Sequence, residues 1–396
     1  MKIVQINSTS GIGSTGRICT GISQYLSQIF IENYILYCYG VSNHPLSIKC
    51  ADNRYIKIQA GKSHFFGNYG FNSILSTKRI ISELERIKPT IVHLHNIHGH
   101  DCNLEILFNY FKKKGIKIVW TFHDCWAFTA YCPHFTMVGC NRWKKHCYDC
   151  PQCRKYSWFF DRSFEIYQRK KDIFSNLDLT IVTPSQWLAG MVKQSFLRDY
   201  PVKVINNGID LSVFVPTPSE FRKKYSIPKT RYILLGVAFD WEIQKGLDVF
   251  LELANRLSPE EYQIVLVGTN EKIDKQLPPN IISIHQTQNQ KALAEIYTAA
   301  DVLVNPTREE NYPTVNMEAI ACGTPVLTFC TGGSPEIPDC TSGVVVPCND
   351  VDIMELEIHR ICTEKIFSQE ACLQRAKAFD MNDCFKNYVK LFKSIL

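Results

Sequence analysis

The feature that most constrains the fold of this chain is a regular alternation of short apolar segments with amphipathic segments. In the first half the apolar segments read KIVQI, NYILYCYG, TIVHLHN, KIVWTFHD and LTIVTPS. Between them, GRICTGISQYLSQIF and NSILSTKRIISELERI carry apolar residues at helical spacing, such as Ile18, Ile22 and Leu26. Strands that alternate with helices predict a parallel sheet with helices packed on its faces.

The same alternation begins again in the second half. There RYILLGVA, YQIVLVG, IISIH, DVLVNP and TPVLTF read as strands, and GLDVFLELANRL, QKALAEIYTAA and TVNMEAIACG read as helices. An Asn-Gly pair and two prolines interrupt regular structure in the segment VKVINNGIDLSVFVPTPSEFRKKY between the halves. We therefore predict an α/β protein with two Rossmann-like, doubly wound domains, residues 1–209 and 210–380. The tail, 381–396, reads as an amphipathic helix that can cross back to the first domain.

Length, charge and cysteine content limit the functional classes. The net charge of +6 on 396 residues is too small and too dispersed to indicate nucleic acid, so we predict no nucleic-acid partner. The opening MKIVQINSTSGIG has no signal-peptide pattern, and no apolar run reaches the length needed to cross a bilayer. We expect a cytoplasmic protein whose 17 cysteines are mostly reduced thiols.

A glycine-rich loop joins the first strand to the first helix. Gly11, Gly13 and Gly16 lie in NSTSGIGSTGRIC, where a tight turn lets the backbone and the helix amides approach a phosphate. The spacing differs from the dinucleotide-binding G-x-G-x-x-G pattern. A strand-to-helix turn without a ligand would also use glycine, so both interpretations stay open.

The segment TREENYPTVNMEAIACGTPVLTF, residues 307–329, predicts an anion-binding helix start flanked by acids. Pro313 suits the first turn of a helix, which leaves the amides of Thr314, Val315 and Asn316 as donors for a diphosphate. A carboxylate can accept two adjacent hydroxyl hydrogens, so Glu318 suits a ribose and Glu310 suits a sugar. The alternative is that the acids simply complement the helix dipole.

These residues resemble a known family. ENYP at 310–313, EAIACGTPV at 318–326 and GGSPE at 332–336 are similar to the C-terminal signature of family 4 retaining glycosyltransferases of the GT-B fold, with its E-x7-E spacing. VINNGIDLSVF and LAEIYTAADVLVNPT resemble neighbouring segments of the same family. INSTSGIGSTGRI, VHLHNIHG and TFHDCWAFTAYC are similar to bacterial members that build capsule, O-antigen or exopolysaccharide. The resemblance implies two Rossmann-like domains that face a central cleft.

The resemblance also implies roles for residues of the second half. Glu318 would bind the ribose of a nucleotide-diphosphate sugar, and Glu310 would bind hydroxyls of the donor sugar at the reacting ring. The backbone after Pro313, at Thr314 and Val315, would receive the diphosphate. Lys245 matches the lysine that neutralises the departing phosphate.

In the first half, the resemblance assigns Gly13 and Gly16 to the loop that faces the same phosphates. His123 matches a histidine near the donor sugar and the acceptor. Asp124 follows it, and we expect Asp124 to orient its ring. The resemblance further implies that the enzyme transfers a sugar with retention of anomeric configuration. The acceptor would be a saccharide or a polyprenyl-diphosphate-linked saccharide.

One position departs from the family pattern. Many members have an arginine five residues before the lysine, where this chain has Asp240. Arg17 or Arg308 could supply the second cation. The chain has no convincing D-x-D at a strand end, so we expect no catalytic metal.

Histidines are dense around VHLHNIHGH. Alternation places His93 and His95 on one face of a strand, where they could bind a metal or form the polar end of the strand beside a cleft. We favour the polar strand end. A lone buried histidine such as His123 can also be an ordinary hydrogen-bonded core residue.

An insertion at about 127–162 has no periodicity and is rich in cysteine, aromatic and basic residues. Cys147 and Cys150 have the spacing of a zinc knuckle, and Cys132 and Cys140 could complete a structural zinc site. Such a site would order a segment with too little apolar surface of its own. Cys153, His134 and His146 are alternative ligands. Free thiols are the other interpretation.

Basic residues suggest a membrane partner. Arg142, Lys144, Lys145 and the segment FKKKGIK at 111–117 could contact anionic lipid headgroups, or they could be solvated surface charges. We predict a cytoplasmic enzyme that associates peripherally with the inner face of the plasma membrane. Two other classes stay open, a GT-B nucleotide-sugar epimerase and a non-catalytic saccharide- or nucleic-acid-binding protein.

Overall fold

A computed structural model describes residues 1–396 as two compact units. The N-terminal unit comprises Met1–Ile205 and Phe385–Leu396, and the C-terminal unit comprises Asn206–Cys384. The division thus falls between Ile205 and Asn206, before the position we expected from the Asn-Gly pair, because the chain leaves the first sheet after a final strand that ends at Val204.

The N-terminal unit is built on one seven-stranded sheet in which every pairing is parallel. Its strand order is β3-β2-β1-β4-β5-β6-β7. The order reverses direction between β1 and β4, which is where ligands bind in open α/β sheets. The strands are β1 Lys2–Ile6, β2 Glu32–Tyr37, β3 Ser47–Lys49, β4 Ile91–Leu94, β5 Lys117–Thr121, β6 Leu179–Thr183 and β7 Val202–Val204.

Helices connect these strands and cover the sheet. They are α1 Gly13–Gln28, α2 Asn53–Phe66, α3 Ile74–Ile87, α4 Leu104–Lys114, α5 Cys153–Tyr156, α6 Ser163–Ile173 and α7 Gln186–Lys193, with 3-10 turns at Trp126–Phe128 and Arg142–Lys144. All four residues of β4 are buried, as expected for a strand covered on both faces.

The C-terminal unit repeats this plan with six parallel strands in the order β10-β9-β8-β11-β12-β13. The strands are β8 Tyr232–Val237, β9 Tyr262–Val267, β10 Ile281–Ile284, β11 Val302–Asn305, β12 Val326–Phe329 and β13 Gly343–Val346. The order reverses between β8 and β11. Both units therefore have the strand order of a dinucleotide-binding fold.

The helices of this part of the chain are α8 Phe221–Lys224, α9 Leu247–Arg256, α10 Glu271–Asp274, α11 Gln290–Ala299, α12 Thr314–Ala321, α13 Val351–His359, α14 Gln369–Ala376 and α15 Met381–Ser394. A π-helical turn at Arg360–Glu364 and 3-10 turns at Ile243–Lys245, Ser334–Glu336 and Lys377–Phe379 complete the set. The last turns of α15 pack on the N-terminal unit, where the Tyr388 hydroxyl lies 3.0 Å from Oγ1 of Thr121. No helix has the length and apolar character needed to span a bilayer.

The insertion at 127–162 is largely irregular, but it is better packed than we expected. Phe128, Tyr131, Phe135, Trp143 and Tyr156 are buried and belong to the main hydrophobic cluster of the N-terminal unit. A fully buried aromatic side chain contributes about 2–3 kcal/mol of transfer free energy. The prediction that this segment lacks enough apolar surface to order itself is wrong.

Candidate active site

In the C-terminal unit, the loops after β8 and β11 meet at the point where the strand order reverses. Nζ of Lys245 lies 2.6 Å from Oε2 of Glu310, so the two side chains form an ion pair. Lys245 ends a 3-10 turn and is followed by Gly246, whose φ is +77°. A Cβ at Gly246 would lie 2.5 Å from the carbonyl oxygen of Pro306. Only glycine allows the loop with Lys245 to pack this closely on the loop with Glu310.

The loop with Glu310 also packs against the segment after β12. Gly332 has a φ of +55°, and a Cβ there would lie 1.7 Å from the carbonyl oxygen of Glu310. The carboxylate of Glu310 in addition accepts a hydrogen bond of 3.1 Å from the Asn311 amide. The loops after β8 and β12 thus fix the loop that carries Glu310, so that its carboxylate is positioned before any substrate arrives.

The start of α12 is a helix N-terminus without a side-chain cap. Pro313 is extended at the N-cap position, and the amides of Thr314 and Val315 have no acceptor within the helix. The Asn316 amide, which we expected to be a third donor, bonds to the Pro313 carbonyl at 3.2 Å. Buried Asn305, at the end of β11, donates to Oδ1 of Asn316 at 2.7 Å and holds the first turn against the strand.

Glu318 lies in the second turn of α12. Its Oε2 accepts a hydrogen bond of 3.0 Å from the Tyr297 hydroxyl. Burial, and then the charge of Glu318, raise the pKa of Tyr297 well above its usual range, so the phenol remains a proton donor. Sequence reasoning missed Tyr297, because the contact joins α11 to α12 through the fold.

The structure also locates the positions where a second cation was expected. Asp240 is exposed in the loop after β8. The Arg308 guanidinium makes a bidentate contact with the Asp248 carboxylate, at 2.7 and 2.8 Å. Its charge is therefore already balanced within the C-terminal unit, and Arg17 is exposed on α1.

In the N-terminal unit, the glycine loop follows β1 directly. Gly11 and Gly13 have φ values of +72° and +68°, which side-chain-bearing residues rarely adopt. Helix α1 begins at Gly13, and Ile12 provides no side-chain cap. A Cβ at Gly16 would lie 2.9 Å from Oγ1 of Thr9, so a side chain there would crowd the turn.

His123 follows β5 and contacts His95, which follows the neighbouring strand β4. Its Nε2 lies 3.1 Å from Nδ1 of His95, and the two rings stack with centroids 5.4 Å apart. Nε2 of His95 in turn lies 3.1 Å from Oε1 of Gln5 on β1. Burial lowers the pKa of His123 to about 4 and lowers that of His95 well below its usual value. Both imidazoles are therefore neutral at pH 7.

Asp124 does not orient His123, contrary to our expectation. Its Oδ2 lies 2.8 Å from Nε2 of His98, and its Oδ1 accepts a bond of 2.8 Å from the Trp126 amide. Burial alone would raise the pKa of Asp124, but the charge of His98 and the hydrogen bond to it hold that pKa at about 2. Burial likewise opposes protonation of His98, yet Asp124 raises the pKa of its imidazole. The reason is local: the chain turns between His123 and Asp124, so that they face different neighbours.

His93 is a buried residue of β4. Its Nε2 lies 2.8 Å from Oγ1 of Thr121, and burial lowers its pKa to about 3. The ring centroids of His93 and His95 are 4.0 Å apart. No group of three or more His, Cys, Asp or Glu side chains in the structure is arranged to hold a metal ion.

The four cysteines predicted as zinc ligands, Cys132, Cys140, Cys147 and Cys150, line one cavity in the insertion. The sulfur atoms of Cys132 and Cys150 are 4.0 Å apart. Cys153 does not line that cavity, and its thiol donates to the Phe160 carbonyl at 3.7 Å. The structure thus gathers the predicted set without drawing three thiols onto one point, and zinc binding stays a prediction.

Two family models match the chain, one in each unit. Residues 33–213 match the model described as glycosyltransferase family 4, and residues 231–364 match the one described as glycosyl transferases group 1. The group 1 match covers all six strands of the second sheet, whereas the family 4 match begins after β1 and the glycine loop. They place a glycosyltransferase domain in each half of the chain.

Individual relatives agree with these matches. Over 372 residues the chain is 23% identical to a protein of Escherichia coli K12 named as a candidate colanic acid biosynthesis glycosyl transferase, WcaC, covering 89% of this chain and 88% of that one. Among solved structures, sucrose-phosphate synthase from Thermosynechococcus elongatus superposes with a TM-score of 0.73 at 16% identity, covering 100% of this chain and 98% of that one. Anabaena Alr3699/HepE in complex with UDP-glucose gives 0.71 at 11% identity, with both chains fully covered, 100% of each.

The fold and the domain matches define the class: this is a glycosyltransferase with the two Rossmann-like domains of the GT-B fold. More particularly, residues 33–213 match the family 4 model and residues 231–364 match the group 1 model.

Proposed function

We propose that this enzyme transfers a sugar from a nucleotide-diphosphate sugar to a saccharide or lipid-linked saccharide, with retention of anomeric configuration, in the synthesis of a bacterial surface polysaccharide. One observation carries the proposal. The Lys245–Glu310 ion pair lies in the same unit as the uncapped N-terminus of α12, at the point where the strand order reverses. The relatives support the donor class, since one of them is solved with UDP-glucose.

The arrangement suits departure of a nucleoside diphosphate. As the sugar–phosphate bond breaks, negative charge grows on the diphosphate, and the amides of Thr314 and Val315 are preorganised to receive it. The ammonium of Lys245 adds a positive charge when a phosphate replaces Glu310 as its partner. Glu310 then becomes available to accept hydrogen bonds from sugar hydroxyls. Glu318, held by Tyr297, would accept those of the ribose.

The N-terminal unit is proposed to hold the acceptor at the carboxyl edge of its sheet. His123 is neutral at pH 7, so it can donate or accept a hydrogen bond to a sugar hydroxyl without adding charge. At Gly13 a Cβ would meet no atom within 4 Å, so the loop after β1 is open there to a phosphate-bearing group, and Gly16 lets the turn pack on Thr9. The Asp124–His98 pair supplies a fixed carboxylate that can accept from an acceptor hydroxyl.

A nucleotide-sugar panel tests this function. Purified protein would be incubated with each donor, with and without a reducing-end-blocked saccharide acceptor, and release of nucleoside diphosphate and the product anomer would be measured. We expect diphosphate release with one donor, stimulated by acceptor, and a product with the anomeric configuration of the donor. An isomerised nucleotide sugar formed without acceptor would instead identify an epimerase. An inverted product would contradict retention.

We further propose that the reaction takes place at the cytoplasmic face of the membrane that carries a polyprenyl-diphosphate-linked acceptor. The support is the surface chemistry of the N-terminal unit, which the next subsection develops.

A further inference from the structure

An exposed aromatic patch lies on the N-terminal unit, at the end of α2 and in the loop after α5. It consists of Phe65, Phe66, Trp158, Phe159 and Phe160, which are between 45% and 58% exposed. The rings of Phe65 and Phe66 are 4.9 Å apart, those of Phe65 and Phe159 are 5.0 Å apart, and those of Phe159 and Phe160 are 6.3 Å apart. The patch is therefore one continuous surface, of the kind that marks an interaction site.

The backbone under the aromatic patch is fixed. The amide of Trp158 donates to the carbonyl of His64 at 2.8 Å, and its ring stacks on the His64 ring at 5.7 Å. The Ser157 hydroxyl donates to the Phe160 carbonyl at 2.7 Å. A Cβ at Gly67 would lie 2.9 Å from that same carbonyl oxygen, so the loop sits directly on the end of α2. The aromatic side chains are thus presented by a rigid scaffold.

Positive charge surrounds the aromatic patch. Helix α2 contains no Asp or Glu, and its exposed residues are Arg54, Lys57, Ile58, Lys62, Phe65 and Phe66. On the other side, Arg154 and Lys155 are exposed on α5, and the Arg162 guanidinium lies 5.9 Å from the centre of the Phe160 ring. Within residues 52–66 and 153–165, which carry the patch, the three acids are Asp52, Asp161 and Glu165, against six Lys and Arg residues.

This combination favours a lipid surface over a protein partner. Exposed aromatic residues among Lys and Arg are typical of segments that lie in the interface of an anionic bilayer. Each basic residue near such a surface contributes about 1 kcal/mol. In protein–protein interfaces, by contrast, lysine is depleted from the buried region.

A chain of ring contacts joins the aromatic patch to the polar residues of the same unit. The His64 ring lies 5.6 Å from that of His100, and His100 lies 4.6 Å from the Tyr69 ring. The Tyr69 hydroxyl donates to the carbonyl of His98 at 2.8 Å, and His98 holds Asp124. The aromatic patch is therefore connected through packed side chains to His98 and Asp124, two of the proposed acceptor residues.

The basic segment 111–117, which the sequence analysis proposed as a lipid contact, is less suitable for membrane binding than the aromatic patch. It includes the end of α4, which leads into the start of β5, so it lies at the amino edge of the sheet, opposite the proposed acceptor residues. Lys112 donates to the Asp172 carbonyl, and Lys114 pairs with Glu85 at 2.8 Å. A protein bound through this edge would hold His98 and Asp124 away from the membrane.

We propose that the aromatic patch, with the basic residues around it, is the surface by which this protein binds an anionic phospholipid bilayer. The inference rests on the proposed function only for the idea that the acceptor is lipid-linked. The aromatic rings enter the headgroup region, the basic side chains bind lipid phosphates, and the acceptor head binds near Asp124 in the same unit.

Vesicle flotation tests the proposal. Full-length protein would be mixed with phosphatidylcholine vesicles with and without phosphatidylglycerol, at low and high salt. We expect flotation with the anionic vesicles, weakened by salt. The double variant Phe65→Ser/Phe159→Ser should lose at least about tenfold in partitioning, which requires a loss of only about 1.4 kcal/mol from the two phenylalanines together. Lys62→Glu should weaken binding to the anionic vesicles only.

Phe30→Ser is the matched control, because Phe30 is 96% exposed on the same unit but outside the patch. It should float like the wild type. Absence of flotation by the wild type, or equal loss in Phe30→Ser and the double variant, would overturn the proposal. A lower molar mass for the double variant than for the wild type, measured without vesicles, would also overturn it. That result would show that the patch binds a second copy of the chain.

Donor turnover separates this inference from the proposed function. With a soluble saccharide acceptor, the double variant should release nucleoside diphosphate at the wild-type rate, which also shows that it is folded. Turnover without flotation would contradict the membrane-binding proposal and support the transferase function. Flotation without turnover on any donor would support membrane binding and contradict the transferase function.

Discussion

At the scale of single residues, the Lys245–Glu310 ion pair is the contact on which the proposed chemistry depends. The side chains are 35% and 24% exposed, and ion pairs this accessible contribute about 0–1 kcal/mol to stability. The pair therefore adds little to folding. Its value lies in placing an ammonium and a carboxylate at the end of two adjacent strands, β8 and β11.

The first prediction concerns Lys245→Ala. We expect kcat to fall by about 100- to 1000-fold, because a charge that stabilises the leaving diphosphate is lost, while the melting temperature changes little. Steady-state kinetics and thermal unfolding measure the two effects. Lys291→Ala, at an exposed lysine of α11, is the control and should leave both unchanged. Equal losses in donor affinity and kcat/KM would show that Lys245 contributes to donor binding and not to the chemical step.

The second prediction concerns Gly332. Alanine at this position must adopt a φ of +55° with its Cβ against the Glu310 carbonyl, so the loop has to move. We expect Gly332→Ala to lower the free energy of unfolding by more than about 1 kcal/mol and to reduce turnover. Gly190→Ala is the control, since its Cβ would meet no atom within 4 Å in α7. Wild-type turnover in Gly332→Ala would show that the backbone at Glu310 need not be fixed.

At the scale of elements, the sequence predicts the long apolar strands well and the short edge strands poorly. KIVQI forms β1 at Lys2–Ile6, and YQIVLV forms β9 at Tyr262–Val267. Strands β3, β7 and β13 were missed, since SIK, VKV and GVVV are short, partly exposed and carry no alternation. Helix α2 was missed because apolar side chains lie on its exposed face as well as its buried one.

In the candidate site, the sequence predicts the positions of residues but not their contacts. Residues that follow a strand, such as His123 and Glu310, can be placed at the carboxyl edge from the pattern alone. The partner of each cannot, because it is set by strand order and loop packing. His123 contacts His95, and Asp124 contacts His98, through the pairing of β4 with β5. Neither pairing has a signal in sequence spacing.

The third prediction concerns the cysteine-rich segment. Lys170 is fully buried, and its ammonium bonds to the carbonyls of Trp126 and Thr129 at 2.8 and 3.0 Å rather than to a carboxylate. Burial lowers the pKa of Lys170 well below its usual value, whereas negative charge at Cys147, Asp124 and Cys132 acts in the opposite direction. Four thiolates around a zinc ion would add to the negative charge that Asp124 supplies near this lysine.

We therefore expect about one zinc ion per chain in protein purified without chelators, measured by elemental analysis. Cys147→Ser should lose the ion and unfold at a lower temperature. Cys153→Ser, whose thiol lies outside the cavity, should keep both properties. Binding requires the four thiols to converge on the ion. Wild-type protein purified without zinc would contradict the prediction and identify the cysteines as packed free thiols.

At the scale of the whole molecule, buried histidines couple stability to pH. Burial lowers the pKa of His93 to about 3, lowers those of His100 and His123 to about 4, and lowers that of His95 well below its usual value. In the unfolded chain these groups titrate near 6.5. Between about pH 6.5 and 4 the unfolded state therefore binds more protons than the native state. Stability falls as the pH is lowered through that window.

The fourth prediction follows from that imbalance. The free energy of unfolding should be lower at pH 5 than at pH 7, by on the order of 2 kcal/mol for each imidazole that stays neutral. The raised pKa of His98 acts in the opposite sense, since its contribution is complete below 6.5 and is lost as pH rises through the folded value. Urea unfolding followed by tryptophan fluorescence measures the balance. His123→Asn should flatten the dependence, and a wild-type curve already flat from pH 7 to 5 would refute it.

The most direct test of the account is a crystal structure with a nucleoside diphosphate that the donor panel has identified as a product. We predict density for the diphosphate against the amides of Thr314 and Val315, with Nζ of Lys245 within hydrogen-bonding distance and the ribose hydroxyls on Glu318. Density for the nucleotide at any other edge of either sheet, or a diphosphate that leaves the Lys245–Glu310 pair unchanged and uncontacted, would contradict it.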